Sequence, residues 1–177
     1  IAGRGMKKHG VTQNAACLDT GSDGYFAPGL YLAIDVIPGS THDNDVVVAV
    51  WQDSQNDVLY YSYNTSPYSQ VGKNWNANNA LNTWSAPVAI DNDGGKYCQI
   101  KVSGSSVHIA SVNNADEVCY TYIPDYSTPA TRTTVTVDTA ESGVKHLSLD
   151  VTTIDSKEIP NISYFATKNM PKLAYFP

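Results

Sequence analysis

Apolar and polar residues alternate with a period of two in short runs along this chain, and the runs recur in a fixed order. Leu32-Ala-Ile34-Asp35-Val36, Cys98-Gln-Ile100-Lys101-Val102 and Leu147-Ser-Leu149-Asp150-Val151 each place an apolar set on one face of a strand. After a loop comes a second strand, at 46–51 (VVVAVW), 107–112 (VHIASV) and 161–165 (NISYF). A third follows a polar turn, as Leu59-x-Tyr61-x-Tyr63, Val118-x-Tyr120-x-Tyr122 and Leu173-x-Tyr175, aligned so that Tyr61, Tyr120 and Tyr175 share one position. A fourth runs into an Asp turn at 15–24 (AACLDTGSDG), 88–95 (VAIDNDGG) and 135–143 (VTVDTAESG). There the carboxylates of Asp19, Asp91 and Asp138 can accept backbone N–H groups, and the closing glycine is free to take positive φ.

The chain therefore reads as a single all-β domain over 1–177 made of one four-stranded unit used three times. An orphan fourth strand at about 11–19 comes first, then units at 30–91, 97–138 and 145–177, the last lacking its fourth strand. The aligned Asp residues are 72 and 47 residues apart, and the excess in the first unit is an Asn-rich insertion at 65–83. Composition agrees with strands and polar turns: 17 Val against 8 Leu, 12 Tyr against 3 Phe, and 14 Asp against 3 Glu leave few good helix formers.

The apolar second strand, polar turn, Leu-x-Tyr-x-Tyr and Trp84-x-x-Pro-Val-x-Ile-Asp91 are similar to blades of secreted bacterial β-propellers of the sialidase-like and lectin-like kind. The Asp-box of sialidases is absent: Ser22-Asp23-Gly24 has the wrong spacing and no Trp follows Asp93-Gly94-Gly95. The resemblance implies three antiparallel blades of a β-propeller, an extracellular or bacterial cell-envelope location, and recognition through turns. A β-sandwich is the alternative for short strands joined by such turns. Three blades do not close a ring, since propellers have about four to eight. The expected partner is a second copy of the chain, completing six blades, or another chain that supplies the rest. The chain opens on Ile1 rather than Met, which is the expectation for a processed chain or a piece of a longer one.

Charge narrows the partners further. A net charge of -6 and two arginines, Arg4 and Arg132, argue against a phosphate backbone as ligand. No run approaches the roughly 20 apolar residues of a membrane-spanning helix. Cys17, Cys98 and Cys119 have no metal-ligand spacing and read as buried packing residues, with a Cys98–Cys119 disulfide left open.

On the propeller reading, the turns from fourth to first strand and from second to third crowd one face. The ligand-binding candidates there are Asp53, Asn56, Asn113, Asn114, Asp116, Tyr97, His146, Lys168 and Asn169, joined by Trp75 in the insertion. The plainer account of each polar residue is a local turn, because Asp and Asn dominate turns for backbone reasons. Calcium is the one cofactor that the sequence offers. Asp91 and Asp93 alternate like the start of a calcium loop, but no acidic residue follows at the completing distance. Trp51 and Trp84 read as packing residues, and His108 as a packed or edge histidine.

The expected function is a non-catalytic binding module for a glycan or a protein. The alternative is part of a propeller glycoside hydrolase, which requires two carboxylates about 5–10 Å apart. A sialidase would need an arginine cluster that two arginines cannot form, and no Gly-x-Ser-x-Gly elbow is present.

Overall fold

The computed structural model describes residues 31–41, 44–53, 56–65, 84–139, 143–166 and 170–175. The orphan strand at 11–19, the insertion aromatics Tyr68 and Trp75, and Cys17, Lys168 and Asn169 lie outside the described residues. Among the described residues eleven strands form three antiparallel sheets, each a run of consecutive strands joined in sequence order. The first holds β1 (Leu32–Ile37), β2 (Val46–Asp53), β3 (Val58–Asn64) and β4 (Val88–Asp91). The second holds β5 (Gly94–Ser103), β6 (Ser106–Asn113), β7 (Val118–Ile123) and β8 (Thr133–Asp138). The third holds β9 (Lys145–Ile154), β10 (Lys157–Ala166) and β11 (Met170–Tyr175).

The period-two pattern sets which face meets which neighbour. Val48, Val50, Leu59 and Tyr61 of the first sheet pack on Cys98, Ile100, Val107 and Ile109 of the second. The opposite face of the second sheet, with Ala110, Val112, Val118 and Tyr120, packs on Leu147, Leu149, Ile162 and Tyr164 of the third. Every residue of β6 is consequently buried, because consecutive side chains enter two different cores. Each fully buried aliphatic side chain contributes roughly 1.5–3 kcal/mol.

Polar bonds tie the junctions at fixed points. The Asp35 carboxylate accepts the Val102 N–H at 3.0 Å, joining β1 to β5, and the Tyr61 hydroxyl donates to the Tyr126 carbonyl at 2.9 Å. Arg132 donates from Nε to the Ile90 carbonyl at 3.1 Å. At the second junction the Asp138 carboxylate accepts from the Tyr164 hydroxyl and from Lys172 Nζ. These two donors hold Asp138 below the ordinary carboxyl range.

The repeat extends to irregularities. The β3–β4 ladder slips between Leu59 and Tyr60, and β7–β8 slips at the equivalent Val118 and Cys119, so Asp91 and Asp138 occupy matching places. The first strand of the second sheet bulges between Lys96 and Gln99, and that of the third bulges between Lys145 and Ser148. Tyr97 and His146 sit at these two bulges with nearly equal left-handed φ, 53° and 54°. The turn glycines Gly95 and Gly143 have φ of 108° and 102°, as the sequence predicts.

One alignment is corrected by the ladder register. Counting from the shared bulges, Leu173 takes the place of Tyr61 and Tyr120, and Tyr175 matches Tyr63 and Tyr122. The two-residue offset preserves the facing of each side chain, which is why alternation alone cannot reveal it. β10 also begins earlier than the 161–165 run suggests and carries Pro160. Its pairing with β11 starts only at Asn161, so the missing N–H falls where β10 has no β11 partner.

The hairpin between β9 and β10 turns at Asp155 and Ser156, both in the left-handed region with φ of 50° and 63°. A two-residue turn of this kind favours Asn-Gly. Ser156→Gly should therefore raise stability by roughly 0.5–1 kcal/mol in urea unfolding. An unchanged or lower midpoint would show that the turn carries no backbone strain.

Candidate functional site

At the end of the sheets where the β5–β6 and β9–β10 hairpins turn, the second and third sheets part to leave a cleft of about 850 Å³. Its floor is a polar cluster between otherwise apolar faces. Ser106 Oγ lies within hydrogen-bond distance of both Glu158 carboxylate oxygens, at 2.7 and 2.8 Å, and of the Ser103 carbonyl oxygen, at 2.6 Å. His108 Nε2 lies 3.3 Å from Glu158 Oε2, and His108 Nδ1 lies 2.6 Å from the Tyr120 hydroxyl.

Chain geometry explains the convergence. Ser106 and His108 are alternate residues at the start of β6, so both face the third sheet, and Tyr120 on β7 shares that face. Glu158 arrives from the β9–β10 hairpin across the junction. Tyr122, Val135 and Pro160 give the cleft apolar walls, while Thr133, Thr153 and Lys157 bring hydroxyl and ammonium groups to it.

Electrostatics fix the protonation states. Burial pushes the His108 pKa below its ordinary value and outweighs the opposing pull of Glu158, so His108 is neutral near pH 7. We assign its proton to Nε2, which then donates to Glu158 while Nδ1 accepts from Tyr120; this pairs all three groups. Burial raises Glu158, but the hydrogen bonds from Ser106 and Ser103 and the proximity of His108 outweigh it, so the carboxyl stays ionised. Burial, reinforced by the Glu158 charge, raises both Tyr120 and Tyr122, which remain phenols.

The Ser106 hydroxyl is buried, with the Glu158 carboxylate and the Ser103 carbonyl as its near acceptors and His108 Nε2 3.4 Å away. Among the described residues Glu158 is the one acidic group lining the cleft.

The sequence-predicted binding residues that the structure describes gather at the opposite end of the sheets and bond mainly within the turns there. Asn56 donates from its backbone N and from Nδ2 to the Asp53 carboxylate, at 3.4 and 2.7 Å. Asn113 closes the β6–β7 turn through Oδ1, which accepts from Glu117 N at 2.9 Å, and through Nδ2, which donates to Glu117 Oε2 at 2.9 Å. Asn114 N donates to the Asp93 carbonyl at 2.9 Å. The Asp116 carboxylate accepts from Gly143 N at 3.2 Å and lies 3.9 Å from Lys96 Nζ.

Tyr97 packs its ring 4.7 Å from that of Tyr31, and His146 meets Phe165 edge-on at 6.0 Å. Asp91 Oδ1 accepts the Asp93 N–H at 3.0 Å, the bond of an Asx turn. Among the described residues no three His, Cys, Asp or Glu side chains converge on a point where a metal ion could be held.

The remaining candidates are structural. Trp51 is buried and stacks on Tyr60 at 5.9 Å. Cys98 and Cys119 are free thiols, pushed up by burial to about 12 and about 11. Among the described residues no helix is long and apolar enough to cross a membrane. No family model, no curated protein and no solved structure matches this chain.

Proposed function

We propose that this chain forms three blades of an extracellular or cell-envelope β-propeller, and that it is a non-catalytic module binding a neutral glycan in the Glu158 cleft. Two separate cores that share one middle sheet support blades over a two-sheet sandwich, which encloses a single core. Contacts between the first strands of successive sheets, β1 with β5 and β5 with β9, support the same reading, because the first strands of blades surround a common axis.

One observation carries the binding site. Repeat positions that are apolar at the first junction, Val46 and Val48, become Ser106 and His108 at the second. The first junction fills this place with Tyr126, packed edge-on at 5.3 Å against Tyr63. The second leaves it open and lines it with an ionised carboxylate, a phenol and hydroxyls. A fold that abandons its own packing rule at one place marks that place for function. Sugars match the chemistry: their C–H faces pack on Tyr122 and Pro160, and their hydroxyls pair with the Glu158 oxygens and the threonines.

Calorimetric titration with a panel of neutral di- and trisaccharides tests the proposal. At least one should bind, about ten-fold more weakly to Glu158→Gln and to Tyr122→Ala, equivalent to about 1.4 kcal/mol. A panel that leaves the protein unbound, or a ligand indifferent to both substitutions, refutes the site.

A further inference from the structure

The two ends of the stack carry apolar faces that the internal repeat shows how to cover. At the third sheet's outer face Leu173 is 65% exposed, although its equivalents Tyr61 and Tyr120 are 0% and 9% exposed within the two junctions. At the first sheet's open face Leu32 and Ile34 are 59% and 61% exposed. Their equivalents are Cys98 and Ile100 in the first junction and Leu147 and Leu149 in the second, all at 6% or less.

Each internal junction joins the same two kinds of face: third-strand side chains of one sheet against first-strand side chains of the next. The open ends are one face of each kind. Asp150 extends the match to polar groups. It is exposed on the outer face of β9, at the place where Asp35 of β1 accepts the Val102 N–H of the next sheet.

We propose that a second copy of this chain covers both faces. The Leu173 face of each copy seats on the Leu32–Ile34 face of the other, giving two junctions of the internal kind and a closed ring of six sheets. The inference rests on the blade reading above, and it names the partner as the chain itself because both halves of the junction are present on one molecule. Head-to-tail contacts of this type close into rings when the rotation per unit allows it.

Light scattering on the full chain, with substitutions at both faces, tests the pairing. The expected mass is twice the 19.1 kDa chain, unchanged on dilution. Leu173→Asp and Ile34→Asp should each yield folded monomers, since every junction contains one residue of each kind. Mixing the two variants should restore a dimer, because a mixed pair keeps one junction free of both substitutions.

A monomeric parent chain overturns the pairing, as do variants that stay dimeric or fail to complement. A mass that grows with concentration overturns the closed ring. Glycan titration of the monomeric variants keeps this inference separate from the binding proposal, because the Glu158 cleft lies within one chain.

Discussion

Gly94→Ala should cost the fold about 3–5 kcal/mol. A Cβ at Gly94 would stand 2.7 Å from Asn113 Cα and 2.9 Å from Asn113 C and Asn114 N, and backbone atoms cannot rotate away. Gly94 also holds a φ of 127°, a region that side-chain-bearing residues avoid. Its N–H donates to the Asp57 carbonyl at 2.7 Å, so moving the segment would break a bond between neighbouring turns. Gly95→Ala is a graded control. Its Cβ would meet the Leu59 side chain at 2.8 Å, and a side chain yields more readily than backbone. Urea unfolding that leaves Gly94→Ala within 1 kcal/mol of the parent would refute the close approach of the β4–β5 turn to the β6–β7 turn.

His108→Val, which installs the first junction's residue in the second, should cost about 2–4 kcal/mol despite being a hydrophobic replacement in a core. The imidazole is fully buried, and its loss strips a hydrogen-bond partner from the Tyr120 hydroxyl and another from Glu158. Adding Tyr120→Phe removes the hydroxyl that has lost its His108 partner and should return roughly 1 kcal/mol, a coupling that a double-mutant cycle measures. Simple additivity would mean that the two side chains do not act together.

The same pair sets a pH dependence. His108 has a folded pKa depressed below the unfolded value near 6.5, so the unfolded chain binds the proton first and acid favours unfolding. Stability is fully present above pH 6.5 and falls as the pH drops through 6.5 towards the folded pKa. Glu158 and Asp138, also depressed, add their losses only at more acid pH, below the ordinary carboxyl values. The melting temperature should therefore fall between pH 7.5 and pH 5.5 in the parent chain and change less in His108→Val. Equal slopes would place the titrating group elsewhere.

Strands and facings were legible in the sequence because alternation reports burial directly, and the shared Asp turns expose the repeat. Register is less so: a two-residue slip keeps every side chain on its face, so the Leu-x-Tyr pattern alone aligns Leu173 and Tyr175 two residues off. The candidates Asp53, Asn113 and Asp116 are of residue types that crowd turns for local reasons, and in the structure they make turn bonds. Ser106, His108 and Glu158 were missed as a group because Glu158 lies 52 residues from Ser106 and no motif spans the gap. One signal was present. In the repeat alignment a serine and a histidine stand in the second unit where the first has two valines, and a buried histidine interrupting an apolar strand face requires partners.

A crystal structure of the chain with a bound neutral oligosaccharide should show ligand density between β7 and the β9–β10 hairpin, with sugar hydroxyls within about 3.2 Å of the Glu158 carboxylate and a ring face on Tyr122. Density at the Asp53–Asn113–Asp116 end instead, with the Glu158 cleft filled by water, would contradict the binding proposal.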